Sequence, residues 1–390
     1  MVIFKKLGDV LTVLDSARRP IKSNERIPGK TPYLGASGVV DFVEGRTHEG
    51  PLLCLAEDGE NLQSRLLPVA WCQDGEFWAN NHVHVLGGVS RNRLKFFEYA
   101  ILNTDLSGYI TGSAQPKLSQ QAMRDITVPD FGFDEEERIG EFFGALDDKI
   151  AANQRVVNSI TDLQSAIWNR AIKDVERVPV ESVALPQLGG TPARKVQENW
   201  TNEIPWSSVA DMTAANGKYL LSTAEGISTE CAKTRRFAPL PAGAVLLSAR
   251  GTVGKVVTLV SPTSFNQSAY GFAEPENRSA ALRLAIEGIV EELRSKSYGS
   301  VFSTITKGTI LECTVPNVFH EEYFDLHSHL GMLEDRAISA VKENQVLAAT
   351  RDELLPLLMN GKITVAEAKE AAGDVDVVKQ NKQEEGDGSV

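Results

Sequence analysis

The sequence predicts an α+β fold in which two mixed α/β units alternate with two long helices. The first observation is an internal repeat: Gly112-Ser113 and Val128-Pro129 recur 187 residues later as Gly299-Ser300 and Val315-Pro316. The second is a series of short apolar runs before each Val-Pro pair, which is typical of strands. The third is a long series of apolar residues at helical spacing after each pair.

The first unit is predicted to span residues 1–133 and to be rich in short strands. Residues 52–56 form an apolar run that ends at the turn signal Glu57-Asp58-Gly59. Residues 82–86 alternate between polar and apolar side chains, as a half-buried strand does. Residues 94–106 place apolar side chains at helical spacing, which predicts a helix before the Val-Pro pair.

Two long helices are predicted, at residues 134–175 and 319–361. Their apolar positions advance alternately by four and three residues, a spacing that favours a coiled coil over two ordinary amphipathic helices buried in separate domains. Polar residues at Asn153 and Gln164 interrupt the first seam, and such positions often fix register. The seam residues are Ile139, Phe143, Leu146, Ile150, Val157, Ile160 and Ile167 in the first helix, and Leu326, Leu330, Leu333, Leu347, Leu354 and Leu358 in the second.

The second unit, predicted at residues 176–318, repeats the order of the first. Residues 243–248 correspond to the strand at 52–56, and residues 280–293 correspond to the helix predicted at residues 94–106. Pro356 and Gly361 are expected to end the second long helix, because proline lacks an amide hydrogen and glycine caps helix ends. Residues 362–390 are expected to form an acidic, disordered tail.

Composition restricts the function classes. The chain has 390 residues, 42% of them hydrophobic, and a net charge of −12, which argues against a protein that coats nucleic acid unaided. No run near eighteen apolar residues is present, so a cytoplasmic protein is expected. The four cysteines are scattered and lack close pairing, which indicates neither a zinc site nor a disulfide framework.

Several motifs in fixed order resemble those of one known family. They include Trp78-Ala79-Asn80-Asn81-His82-Val83-His84-Val85-Leu86, Gly112-Ser113-Ala114-Gln115-Pro116-Lys117-Leu118 and Val245-Leu246-Leu247-Ser248-Ala249-Arg250-Gly251-Thr252-Val253-Gly254-Lys255. In this order, and together with the two helices, they resemble the specificity subunit of type I restriction–modification systems.

This resemblance implies two target recognition domains, each reading one half of a bipartite, asymmetric DNA site. It implies two long helices that pack antiparallel as a coiled coil and separate the domains. The expected partners are double-stranded DNA, two methyltransferase subunits and, in some complexes, two nuclease–translocase subunits. S-adenosylmethionine and ATP are expected on those partners, so this chain is expected to have no catalytic residue, no cofactor and no metal of its own. The alternative is a duplicated coiled-coil adaptor or scaffold without base readout.

The candidate DNA contacts are of two chemical kinds. Arginine and lysine suit phosphates, whereas asparagine and glutamine both donate and accept hydrogen bonds, as adenine reading requires. Asparagines at turns can instead satisfy the backbone, and that reading stays open. The candidates are Asn80, Asn81, Arg91, Arg93, Gln115 and Lys117 in the first unit, and Ser248, Arg250, Thr252, Lys255, Asn266, Gln267 and Lys307 in the second.

Overall fold

The computed structural model describes residues 2–112, 115–215, 217–276, 278–297 and 304–373. The chain forms two compact units, Met1–Ile150 with Val346–Val390, and Ala151–Gln345. The predicted division treated the long helices as separate segments, whereas each compact unit contains part of both. Ser113, the Gly299-Ser300 pair and residues 374–390 of the predicted tail lie outside the described residues.

The first unit is built on two four-stranded sheets. One has the strand order β2-β9-β6-β7 and the other β4-β3-β8-β5, while β1 pairs antiparallel with β10. Its strands are β1 (Ile3–Lys6), β2 (Thr12–Val13), β3 (Pro28–Gly35), β4 (Gly38–Val43), β5 (His48–Glu49), β6 (Leu52–Ala56), β7 (Ala70–Gln73), β8 (Glu76–Ala79), β9 (Val83–Gly87) and β10 (Thr127–Asp130). Its helices are α1 (Leu7–Val10), α2 (Asn61–Ser64), α3 (Arg91–Leu102), α4 (Gln120–Asp125) and the first part of α5 (Phe133–Ala171).

The core of the first unit lies around α3. Ser90 caps this helix by accepting a hydrogen bond from the backbone of Arg93, and the apolar residues that follow are buried. Phe96 and Phe97 have no exposed surface and belong to the same cluster as Leu53 and Leu55 of β6. The alternating polar residues at 82–86 predicted a half-buried strand, but all of β9 is buried, His84 included.

The second unit is built on a five-stranded sheet, β12-β19-β16-β17-β14, and a three-stranded sheet, β15-β13-β18. Its strands are β11 (Arg177–Pro179), β12 (Gln187–Leu188), β13 (Ile204–Ser207), β14 (Tyr219–Leu220), β15 (Glu225–Ile227), β16 (Val245–Ser248), β17 (Val256–Leu259), β18 (Ser264–Phe265), β19 (Ala269–Phe272) and β20 (Thr314–Pro316). Its helices are α6 (Val209–Ala214), α7 (Thr229–Ala232), α8 (Ser279–Glu287), α9 (Val290–Ser297), α10 (Lys307–Leu311) and the first part of α11 (Phe324–Met359).

The two units share a scaffold. In each, a central antiparallel pair, β6 with β9 or β16 with β19, lies beside a parallel pair, β3 with β8 or β13 with β18. Each unit also contains a two-stranded antiparallel sheet, formed by β1 and β10 or by β11 and β20. The strands that contain the two Val-Pro pairs therefore occupy the same place in both units.

The two long helices pair antiparallel inside each unit. In the second unit, Nε2 of Gln164 donates to the carbonyl of Leu330 at 3.0 Å, and Nδ2 of Asn153 donates to Asn344 at 3.0 Å. In the first unit, the guanidinium of Arg351 lies 3.3 Å from the carboxylate of Asp147. All the predicted seam residues are buried or half-buried.

The C-terminal part of the chain departs from the prediction. Helix α11 begins at Phe324, after a 3₁₀ turn, rather than at residue 319. It also continues through Pro356, although the proline removes one backbone hydrogen bond. Burial of Leu358 and Met359 in the first unit's core stabilises this last turn. Gly361, with φ of 62°, ends it by donating to Leu358. Part of the expected disordered tail is an ordered helix, α12 (Val365–Gly373).

Other details also differ. The predicted helix at 280–293 is divided into α8 and α9 around Gly288. Among the described residues, no helix has the length and apolar character needed to cross a bilayer. All four cysteines are described, and each is a free thiol.

Candidate nucleic-acid interface

In the first unit, a tight turn follows β8. The backbone amide of Asn80 donates to the carbonyl of Leu34 at 3.2 Å, and its side-chain Oδ1 accepts from the amide of His82 at 2.7 Å. Asn80 is thus buried and satisfies the backbone, as the turn interpretation of this asparagine expected. Asn81 lies at the tip of the turn and is exposed.

Two further loops adjoin this turn. The amide of Glu57 donates to the carbonyl of His82 at 3.0 Å, which places the end of β6 beside the turn. The amide of Leu118 donates to the carbonyl of Glu57 at 2.7 Å, and Nζ of Lys117 lies 3.2 Å from the Glu57 carboxylate. Gln115 is exposed on the same loop as Lys117. We call the loops at residues 15–19, 57–59, 80–82 and 115–118 the first loop cluster.

A buried charged network lies under the first loop cluster. Asp15, His84, Glu57 and Arg18 all have side chains at most 15% exposed. Burial by itself raises the pKa of Asp15, but hydrogen bonds from His84, Gln120 and the amide of Val85 bring it below the ordinary value. Burial opposes ionisation of Glu57 as well, yet Arg18 holds its pKa low.

Arg19 is a residue that sequence reasoning missed. Its backbone is fixed because its amide donates to the carbonyl of Ala79 at 3.0 Å and its carbonyl accepts from the indole of Trp78 at 2.6 Å. Its side chain is exposed, whereas that of Arg18 points inward to Glu57. The Arg18-Arg19 pair was the available signal, but the sequence does not say which arginine faces solvent.

Arg91 and Arg93 lie away from the first loop cluster, at the start of α3. The guanidinium of Arg93 is 2.8 Å from Glu136 at the beginning of α5, and its side chain is 14% exposed. Arg91 pairs with Asp74 and Asp148 at 3.2 and 3.4 Å. Both arginines fasten α3 to neighbouring acidic groups, so their position does not support the expected phosphate contacts.

The second unit repeats the turn. The amide of Asn266 donates to the carbonyl of Ser207 at 3.0 Å, and its Oδ1 accepts from the amide of Ser268 at 2.9 Å. These are the bonds that Asn80 makes to the equivalent parallel strand and to the residue two positions later. Gln267 lies at the tip, is exposed and accepts a hydrogen bond from the hydroxyl of Thr191.

The turn between β16 and β17 adjoins Asn266. The amide of Ala249 donates to the carbonyl of Ser268 at 2.7 Å, and its own carbonyl accepts from the amide of Ile305 at 3.0 Å. Arg250 and Thr252 are exposed on this turn, and Lys307 is exposed at the start of α10. We call the loops at residues 189–191, 235–237, 249–254, 266–268 and 305–307 the second loop cluster.

Two predicted contacts of the second unit are partly or wholly internal. Ser248 has no exposed surface; its hydroxyl donates to the carbonyl of Thr252 and accepts from the amide of Lys255 at 2.8 Å. Ser248 therefore shapes the turn, and its position does not support base reading. Lys255 is half-buried and donates to the carbonyl of Gly217 at 3.2 Å. Its pKa is lowered, mainly by burial and secondly by the positive charge of Lys218.

Arg235 and Arg236 were also missed by sequence reasoning. Both are exposed, and Arg236 lies against Gly190 of the second loop cluster. A Cβ atom at Gly190 would come within 2.9 Å of Cγ of Arg236 and 2.8 Å of the ring of Phe237, so only glycine allows this approach. The signal was again an Arg-Arg pair, but its contact with a distant glycine is a property of the fold.

The described residues contain one cluster with the composition of a metal site, formed by Asp15, Glu57 and His84. The guanidinium of Arg18 already lies 3.3 Å from Asp15 and binds Glu57 at 2.6 Å. Both nitrogens of His84 are within hydrogen-bond distance of acceptors. The cations of the protein thus take the place that a metal ion would need.

This chain is similar in sequence and in fold to one group of known proteins. Residues 2–162 match the family described as the type I restriction modification DNA specificity domain. Over 129 residues, 33% of each chain, the sequence is 36% identical to a protein of Haemophilus influenzae described as a type I restriction enzyme specificity subunit. Residues 2–162 of this chain therefore contain a type I restriction–modification DNA specificity domain. The resemblance that the sequence motifs indicated is therefore confirmed.

A second relative of this chain is the MjaIX specificity subunit of Methanocaldococcus jannaschii, which is 23% identical over 197 residues, 50% of this chain and 46% of that protein. The alignments thus span one third to just under half of these relatives. In fold, this chain resembles the crystal structure of the type I S subunit from M. genitalium, with a TM-score of 0.62, 11% identity, and coverage of 91% of this chain and 95% of that one.

This likeness confirms the predicted α+β fold class of the chain. The two relatives above are both named specificity subunits, in agreement with the predicted non-catalytic role.

Proposed function

We propose that this specificity subunit reads a bipartite, asymmetric DNA site, one half-site with each loop cluster. The observation that carries the proposal is the repeated turn. Asn80 and Asn266 make the same backbone hydrogen bonds in the two units, but the exposed residues around them differ. A shared scaffold that displays different side chains is suited to reading two different sequences with similar geometry.

The first loop cluster presents a basic rim and amide groups. Arg19 and Lys117 supply positive charge for phosphates, and Asn81 and Gln115 are exposed amides that can donate and accept at a base edge. In the second, Arg235, Arg236, Arg250 and Lys307 are exposed cations, and Gln267 is an exposed amide. These local positive groups offset the net charge of −12 where DNA would approach.

The partners that we propose are double-stranded DNA and methyltransferase subunits, with nuclease–translocase subunits in some assemblies. The methyltransferases would hold S-adenosylmethionine, and the nuclease–translocases would use ATP. The specificity subunit itself would contribute recognition without catalysis, acting in the cytoplasm. The family assignment of residues 2–162 supports this arrangement.

The experiment is to determine the methylated sites in cells that express this chain with its methyltransferase partner. We expect one new, gapped, asymmetric motif that is methylated on both strands. Exchanging the exposed residues Asn81 and Gln115 should change one half of the motif and leave the other half intact. The same experiment with Gln267 exchanged should change the opposite half.

The alternative is a coiled-coil scaffold without base readout, and the long seams are the observation that favours it. A scaffold would assemble with its partner subunits but yield no new motif. Its DNA affinity would also lack the steep salt dependence that phosphate contacts produce. A complex that assembles and binds S-adenosylmethionine, but methylates no defined motif, would refute the DNA-reading proposal.

A further inference from the structure

Among the described residues, the charged network beneath the first loop cluster has no equivalent in the corresponding part of the second unit. We propose that His84 is a positioning residue for DNA reading by the first unit: the first loop cluster keeps its reading shape only while this buried imidazole carries hydrogens on both nitrogens. The proposal rests on the proposed function, and it concerns only the half-site that the first unit reads.

The hydrogen-bond partners of His84 define its protonated form. Nδ1 lies 2.6 Å from Oδ2 of Asp15, and Nε2 lies 2.9 Å from the carbonyl oxygen of Leu118. An ionised carboxylate and a backbone carbonyl can only accept, so both ring nitrogens must donate. Since His84 has no exposed surface, water cannot take the place of a lost hydrogen bond.

Charged groups surround the imidazole of His84. Asp15 and Glu57 supply two negative charges, which Arg18 and protonated His84 balance; Lys117, whose side chain is 55% exposed, extends the network to the surface. Loss of the imidazolium charge would leave a buried carboxylate without full compensation, a costly arrangement. The other titratable groups that interact with Asp15 are His48 on β5 and Cys54 on β6.

The network fastens the segments that carry the exposed residues. Asp15 also accepts from the amide of Val85 at 2.8 Å and from Gln120 at 3.0 Å, which joins the 15–19 loop to β9 and to α4. Leu118, the carbonyl partner of His84, directly follows Lys117. Arg18, bound to Glu57, directly precedes Arg19. A shift of His84 would therefore move Arg19 and Lys117 together.

The second unit has no histidine at the corresponding position. Four residues after the turn asparagine, where the first unit has His84, it has Tyr270. Tyr270 is buried in an apolar cluster with Val245 of the neighbouring strand β16 and Phe272 of its own strand β19. The dependence on an imidazolium is thus expected at one half-site only, which provides a control within the same molecule.

The first test uses the His84→Gln variant, in which the amide keeps a donor but loses the charge. The full chain is co-expressed with its methyltransferase partner, and methylation is measured on DNAs with single substitutions in either half-site. We expect roughly tenfold loss of discrimination in the half-site read by the first unit, about the contribution of one well-read base pair. Discrimination in the other half-site should be unchanged.

Two further variants separate positioning from general damage. Tyr270→Phe, the matched control, should leave discrimination at both half-sites unchanged. The double variant Asp15→Asn with His84→Gln removes one charge of each sign, so it should recover part of the discrimination that His84→Gln loses. Equal loss at both half-sites in His84→Gln, or no loss at either, would overturn the proposal.

The second test uses the unmodified chain, so it holds even if the variants fail to fold. NMR of the imidazole nitrogens is expected to show a hydrogen on both Nδ1 and Nε2 of His84, because both nitrogens face acceptors. A His84 nitrogen without a hydrogen would overturn the role of His84, whereas absence of any defined motif would refute the proposed function itself.

Discussion

Lys117 connects the surface of the first loop cluster to its buried interior. Its ammonium group is 3.2 Å from Glu57, yet its side chain is 55% exposed, so it can approach a phosphate without leaving the network. We predict that Lys117→Ala weakens DNA binding by the complex to a similar degree on all sequences. The slope of log affinity against log salt should decrease by about one, as expected for the loss of one phosphate contact.

The matched control for Lys117 is Lys369→Ala, which removes an exposed lysine from α12. The control should keep both the affinity and the salt slope of the wild type. If Lys117→Ala also kept both, this lysine would not be a phosphate ligand, and the proposed orientation of the first loop cluster would be wrong.

The carboxylates of the buried network predict acid sensitivity. The pKa values of Asp15 and Glu57 lie below their ordinary values in the folded chain, although burial alone would raise both. A depressed pKa adds stability above the unfolded-state value, near 4, and this contribution is lost as the pH falls toward the folded-state value. We predict that the melting temperature of the wild type falls steeply below about pH 4. Asp15→Asn should lower the melting temperature at neutral pH and make it less dependent on pH.

Sequence reasoning identified polar and charged residues of the loops, but it could not predict which of their side chains face solvent. Asn81, Gln115 and Lys117, which were predicted from the sequence as candidate DNA contacts, all lie in the first loop cluster, because motifs between strands become loops. Arg93 was selected for its charge but is bound to Glu136, a contact between residues 43 positions apart. Such a pairing depends on how α3 packs on α5, which local spacing does not encode.

At the scale of elements, the seam residues are the feature from which the sequence predicted the two long helices and their buried faces. A 3.5-residue repeat identifies which face of a helix is buried, and the seam residues are buried or half-buried as that repeat requires. The repeat does not identify the ends. Helix α11 starts at Phe324 because a 3₁₀ turn precedes it, and it passes Pro356 because its last turn is buried. Tertiary packing decides both boundaries.

The structure also shows which groups the polar seam residues contact, which their spacing in the sequence did not predict. Gln164 accepts a hydrogen bond from the buried Arg283 of α8 at 2.7 Å, next to the buried Glu334 of α11. In the first unit, Arg351 takes the equivalent place, with Asp147 of α5 as the acidic group that also binds Lys95 of α3. Each unit therefore uses one polar seam residue to connect the helix pair to its globular part.

Phe143 tests the packing of the first seam. It has no exposed surface, and its ring centroid lies 4.5 Å from that of Tyr99 on α3. We predict that Phe143→Ala lowers the free energy of unfolding by about 3–5 kcal/mol, because it removes a buried ring and leaves a cavity. Leu163 of the same helix is 48% exposed, so Leu163→Ala should change the free energy of unfolding by no more than about 0.5 kcal/mol. Denaturant unfolding of both variants checks this, and similar losses would contradict the assignment of the seam.

At the scale of the whole molecule, duplication accounts for the organisation that the sequence revealed first. The repeat predicted two related units, and the structure supplies the reason that the repeat is imperfect: the scaffold is shared, whereas the exposed residues of the two loop clusters differ. What the sequence did not predict is that each compact unit draws on both long helices. The chain passes from one unit to the other at Ile150–Ala151 in α5 and again at Gln345–Val346 in α11.

In the proposed function each unit reads one half-site, so the length of the two helices that cross between the units would determine the spacing of the half-sites. We predict that inserting one heptad at each crossing lengthens the spacer of the methylated motif while both half-site sequences stay the same. Seven helical residues add about 10 Å, which corresponds to at most about three base pairs. A heptad inserted at only one crossing is the control; it puts the two seams out of register and should abolish methylation. If the doubly extended chain methylated the original motif with its original spacer, the helices would not set the distance between half-sites.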